Sequence, residues 1–168
     1  MRSNPLSTSR PAAAHRGAAR IGAGILAATL ALASLSAIAH QGATGIVKER
    51  MDTMSAIAKN MKALAAMVKT GAVDADAAKE IGARVADHAR LFPTQFPKGS
   101  LSQKSEAREE IWTDFPDFEA KSDALVVAAS DLAESDSDDL DRGTLGQALK
   151  SMGKTCKACH ESYRLKKN

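Results

Sequence analysis

Near the C-terminal end of the sequence stands Cys156-Lys157-Ala158-Cys159-His160, a Cys-x-x-Cys-His spacing that can hold a porphyrin covalently. On a helix the two cysteines lie three apart on one face. Two thioethers can then fix the vinyl edge of one ring while the next residue presents imidazole to the iron. His160 is therefore read as the proximal ligand of a single, covalently attached haem c, with Cys156 and Cys159 as its thioethers. Only eight residues follow His160, so any second ligand must come from a segment that precedes the motif and folds back over the opposite face.

Both cysteines of the chain lie in this motif. A thiol redox pair or a structural disulfide is the alternative in an exported protein, but a redox Cys-x-x-Cys normally sits beside a βαβ pattern. No alternating strand is evident here. Zinc wants four ligands, and one such motif supplies three at most in cramped geometry.

The N-terminal stretch carries Arg2, Arg10, Arg16 and Arg20 with no acidic residue, followed by an apolar run from Ile21 to about Ala33 and the small-x-small pattern Ala37-Ile38-Ala39. Residues 1–39 read as a secretory signal peptide cut before His40; together with the haem chemistry, this implies a bacterial-type periplasm for the mature protein. The apolar run is short for a spanning helix; an uncleaved anchor is the alternative. Residues 40–168 suit one domain with one core. Without the signal, 19 basic residues face 20 acidic ones, so the basic character of the whole chain belongs mostly to the leader. No stripe of Lys and Arg interleaved with aromatics argues for a nucleic-acid partner.

The mature sequence reads as all-α, an antiparallel four-helix bundle. The first helix spans about Ala43 to Thr70 and stops at Gly71, suited to a left-handed cap. The second runs from an Asp74 N-cap to about Leu91 and ends at Pro93. A loop punctuated by Pro93, Pro97 and Gly99 follows, and Ser105 is expected to cap a short turn containing Ile111 and Trp112. Pro116 breaks or restarts the third helix, which continues to about Glu134. The fourth begins near Asp141 and carries the motif to the C-terminus.

On the first helix, Val47, Met54, Ile57, Met61, Leu64 and Val68 form one seam, and Arg50 occupies a turn of it. A buried charge is costly unless paired, and a haem propionate is its natural partner. Alanine is abundant and aromatics make up 4% of the chain, so a porphyrin would form a large part of the core and the apo chain should be loosely folded.

With Cys-x-x-Cys-His on the last of four helices, residues 43–167 resemble the class II cytochromes c, the cytochrome c′ family and its low-spin relatives. Cytochrome c′ is itself a reference case of the up-down-up-down bundle. The most specific likeness is Gly153-Lys154-Thr155-Cys156-Lys157-Ala158-Cys159-His160-Glu161-Ser162-Tyr163-Arg164. Phe92-Pro93-Thr94-Gln95-Phe96-Pro97, Ile111-Trp112, Arg50 and Met54 support it, whereas Pro116 departs from the usual pattern.

The resemblance implies that Met54 faces the distal side of the iron, either as a sulfur ligand or as a group that only blocks the site. Met51, Met61 and Met67 read as core filler, and Met152 lies two turns before His160 on the same helix. His88 shares a stripe with Ile81 and Val85, making bis-histidine ligation the alternative to a solvated histidine near a helix end. Arg164, four residues beyond His160, is expected on the same helix face against the haem pocket, or else as a terminal cation with Lys166 and Lys167.

The leading reading is a periplasmic electron carrier, not an enzyme, exchanging electrons with donor and acceptor proteins. Lys150, Lys154 and Lys157 would be a solvated face or a docking patch. The alternative, implied by the resemblance, is a five-coordinate protein binding nitric oxide or carbon monoxide with Met54 as a steric gate. Dimerisation through the first two helices is common in the family and is compatible with their alanine-rich outer faces. No polar distal pair of the kind peroxide cleavage needs is evident.

Overall fold

A computed structural model of the chain describes residues 43–166. The signal peptide assigned to 1–39, together with His40 and Lys167, lies outside the described residues. Four long helices, α1 (Gly45–Thr70), α2 (Ala75–Leu91), α4 (Phe115–Ala133) and α5 (Arg142–Tyr163), are supplemented by one helical turn, α3 (Glu110–Thr113). α2 packs most extensively on α4 and α4 on α5, while α1 closes the bundle against α2 and α5. No strand occurs among the described residues; one isolated antiparallel bridge joins Ala107 and Arg164. None of the described helices is long and apolar enough to cross a membrane.

Local chemistry sets most boundaries. Gly71 takes a left-handed cap at φ 75° and returns its N–H to Met67 O at 2.9 Å. The side chains of Asp74 and Asp141 accept from Ala77 N at 3.0 Å and Thr144 N at 2.8 Å, opening α2 and α5. Pro116 restarts a helix: it sits in the first turn of α4, where a missing N–H costs nothing, behind the Asp114 cap.

α1 starts at Gly45, close to the expected Ala43, with no side-chain cap from Thr44. Two expectations are corrected. Ser105 caps only a turn, accepting from Ala107 N at 3.1 Å, and helix begins at Glu110. α5 ends at Tyr163, so Arg164 leaves the helix with extended backbone (φ −116°, ψ 132°) and pairs with Ala107 instead of continuing the His160 face.

The main core joins Ile57 and Leu64 of α1, Ala78, Ile81 and Val85 of α2, Leu125, Ala129 and Leu132 of α4, and Leu145 and Met152 of α5. A second core holds Phe96, Ile111, Phe118 and Tyr163, with Phe92, Trp112 and Phe115 packed against it. Here the few aromatics of the chain meet; Phe96 and Phe118 touch edge to face at 4.8 Å between centroids.

At Gly82, α2 approaches α4 so closely that a Cβ would lie 2.9 Å from Ala129 O, 3.0 Å from Ala133 N and 3.2 Å from Leu132 Cγ. Two of these atoms are helix backbone and cannot swing aside. Gly82→Ala is therefore expected to lower stability by about 1–3 kcal/mol through overpacking, despite the ~1 kcal/mol helix preference for alanine. Urea unfolding measures it; a variant as stable as the parent would mean the two helices part freely.

Candidate functional site

Between α1, α4, α5 and the segments around Phe92–Phe96 and Ser105–Ala107 lies a cavity of about 450 Å³, within the roughly 300–1,000 Å³ of small-molecule and cofactor sites. Apolar side chains form most of its wall, among them Met54, Ile57, Met61, Phe92, Phe96, Ile111 and Leu125. The residues of the leading site assignment all reach it: Arg50 and Met54 from α1, Cys156, Cys159 and His160 from α5, and Arg164 just beyond. His88 does not line it, and Met152 is fully buried in the main core. Met51 and Met61, expected as core filler, line the cavity as well.

The two cysteines are free thiols, each half-buried. Burial raises the Cys156 thiol above its ordinary value and pushes that of Cys159 up to about 11. Reactive dithiols and thiolate metal sites have lowered values instead, and no three His, Cys, Asp or Glu side chains gather as bare-metal ligands among the described residues. Neutral, desolvated sulfurs three residues apart on one apolar wall suit an apolar ring joined through both of them.

His160 is exposed in the bundle and faces the same cavity. Partial desolvation first, and then the charge of Arg164, lower its imidazole below the ordinary value; Glu106 acts in the opposite sense. Arg50 is 4% exposed. It donates through Nε to Gln95 O at 2.6 Å, through one terminal nitrogen to Ser100 O at 3.1 Å, and through the other to Ser100 Oγ. The guanidinium carbon lies 4.2 Å from the centroid of the Phe96 ring. Arg50 thus ties α1 to the segment after α2, with one hydrogen on each terminal nitrogen to spare.

Glu106 is a site residue that sequence reasoning missed. Its carboxylate pairs with Arg164 at 2.7 Å, a partner 58 residues away. No local pattern marks such a pair.

Tyr163 anchors the end of α5. Its hydroxyl lies 2.6 Å from Asp117 Oδ2 and 3.3 Å from Asp114 O. Donation from Tyr163, chiefly, and the nearby Lys121 hold the Asp117 carboxyl below the usual carboxylate range. A depressed carboxylate stabilises the fold above its unfolded pKa of about 3.9, and that contribution is lost as pH falls through the lower folded value. Tyr163→Phe should therefore flatten the acid limb of stability against pH below about pH 4. An unchanged slope in acid unfolding would remove Asp117 from that limb.

Fold and site together define a four-helix haem c protein. A family model described as Cytochrome C' matches residues 45–164. Cytochrome c-556 of Agrobacterium tumefaciens (strain II Chrys) is 37% identical over 124 residues, covering 73% of this chain and 99% of that protein. A cytochrome c' of Rhodospirillum rubrum is 30% identical over 141 residues, covering 83% and 95%. Among solved structures, cytochrome c' from Rhodopseudomonas palustris superposes with a TM-score of 0.67 at 26% identity, covering 75% of this chain and all of that one. The nitric oxide complex of a variant cytochrome c prime from Alcaligenes xylosoxidans gives 0.64 at 30% identity, covering 72% and 94%. The chain belongs to the cytochrome c′ family, whose haem c is attached covalently through cysteines, here Cys156 and Cys159.

Proposed function

We propose that the protein is an exported monohaem electron carrier of the periplasm, with residues 1–39 as its export signal and 40–168 as the haem-bearing bundle. When bound, haem c supplies a one-electron couple between ferric and ferrous iron. Cys156 and Cys159 would hold the ring, His160 would present imidazole to the iron, and Met54 would present thioether sulfur to it. Arg50, already fixed by Gln95 and Ser100, offers its remaining N–H groups to a propionate, and Arg164 lies in the pocket wall.

The observation that carries the reading is the shared cavity: Met54 reaches it from α1, while Cys156, Cys159 and His160 reach it from α5. The likeness to proteins named cytochrome c-556 supports it. Lys150, Lys154 and Lys157 are exposed on α5 beside the attachment site and offer a positive face to acidic donors and acceptors. The reading includes no enzymatic step.

A second reading, a five-coordinate binder of nitric oxide or carbon monoxide with Met54 as gate, is favoured by the likeness to a structure solved as a nitric oxide complex. The ferrous optical spectrum with and without carbon monoxide separates the two. Sharp low-spin bands that resist the gas are expected of the carrier; a broad high-spin spectrum that shifts with the gas would replace it by the gas-binding protein.

A further inference from the structure

Just beyond α5 the chain is stitched to the segment that precedes α3. Leu165 N–H donates to Glu106 O at 2.8 Å and Arg108 N–H to Tyr163 O at 3.0 Å, closing the bridge between Ala107 and Arg164. Within this strap the Glu106 carboxylate accepts from both Nε and a terminal nitrogen of Arg164 at 2.7 Å. Both residues line the same cavity as His160, whose carbonyl oxygen accepts from Arg164 N–H at 3.2 Å. Their side chains are 35% and 48% exposed, so the pair adds little to stability, and its backbone bonds would hold the strap without it. Its position at the cavity wall gives it another use.

We propose that Glu106 is a positioning residue for the electron-transfer site: it holds the Arg164 guanidinium beside the proximal histidine and cancels its charge, so that the pair, and not Arg164 alone, sets the local field on the iron. This rests on the reading of His160 as the iron ligand. A single cation beside the iron favours the ferrous state and a single carboxylate the ferric state, whereas a close pair acts as a weak dipole. The backbone bonds on either side hold both charges in place through a change of oxidation state.

The test is a charge cycle on the haem-loaded protein, read as midpoint potential by spectroelectrochemistry at low salt, where screening is least. Glu106→Gln is expected to raise the potential, Arg164→Gln to lower it, and the double variant to return toward the parent. Two single variants that shift in the same direction, or not at all, would overturn the proposal. Hydrogen exchange at the Arg108 and Leu165 amides keeps an opened strap from passing as an electrostatic effect. Protection retained in Glu106→Gln is expected, and its loss would make Glu106 a merely structural residue. Electron–nuclear double resonance on the ferric parent, prepared with isotope-labelled histidine, reports bound imidazole independently. Absence of a histidine nitrogen coupling would defeat the ligand reading, whereas a coupling present without opposed shifts would defeat only the role of Glu106.

Discussion

Met54→Ala is expected to turn a ferrous protein that resists carbon monoxide into one that binds it. In the carrier reading the thioether must leave before any exogenous ligand enters, so its removal raises carbon monoxide affinity by at least about tenfold for every 1.4 kcal/mol of the displaced bond. The low-spin bands should give way to a five-coordinate or water-bound spectrum. Met54 is well placed for such an effect because its side chain is half-buried at the cavity wall, with Ile57 and Met61 on the following turns of α1. Met54→Leu separates coordination from bulk. Leucine fills similar space without sulfur, so it should lose the low-spin bands as alanine does. A low-spin spectrum unchanged in Met54→Ala would sink the assignment of Met54 as ligand.

The second large effect is expected at the attachment site. Cys156→Ser should lower covalently retained haem several-fold, and the variant lacking both thiols should retain none; haem resistant to acid–acetone extraction is the measure. Normal retention in Cys156→Ser would argue against two thioethers. Loss of the ring should also loosen the fold. At about 24 cal/mol per Å³, sustaining a cavity of this size would cost up to ~11 kcal/mol, as large as the 5–15 kcal/mol that holds a domain together. Because the cavity opens to solvent, that figure is an upper bound; the chain escapes part of it by wetting or collapsing the wall. Thiol variants should therefore keep much of their helical circular dichroism while unfolding over a broad, weakly cooperative transition. A sharp transition at the parent's midpoint would show that the bundle stands without its ring.

The helices and their ends were largely legible because their signals are local. Asp74 and Asp141 cap through bonds that span three residues, and Gly71 supplies the one backbone conformation that closes α1. The two misplaced boundaries near the site lie where distant contacts override propensity. Ser105 cannot open a helix because Glu106 and Arg108 spend backbone groups on Leu165 and Tyr163. For the same reason Arg164 leaves α5 instead of following His160 round its face.

The sequence by itself determined the cofactor chemistry and the candidates for its ligands, since three residues at fixed spacing on one helix need no tertiary contact to share a face. It also carried the bundle class, through the apolar seam and the caps. Only the tertiary structure decided which side chains meet across the cavity. Arg50 finds its acceptors at Gln95 and Ser100, 45 and 50 residues away, and Glu106 finds Arg164 across 58. Pairings at such separation depend on how four helices pack around one another, and no period or local motif in the chain encodes that arrangement.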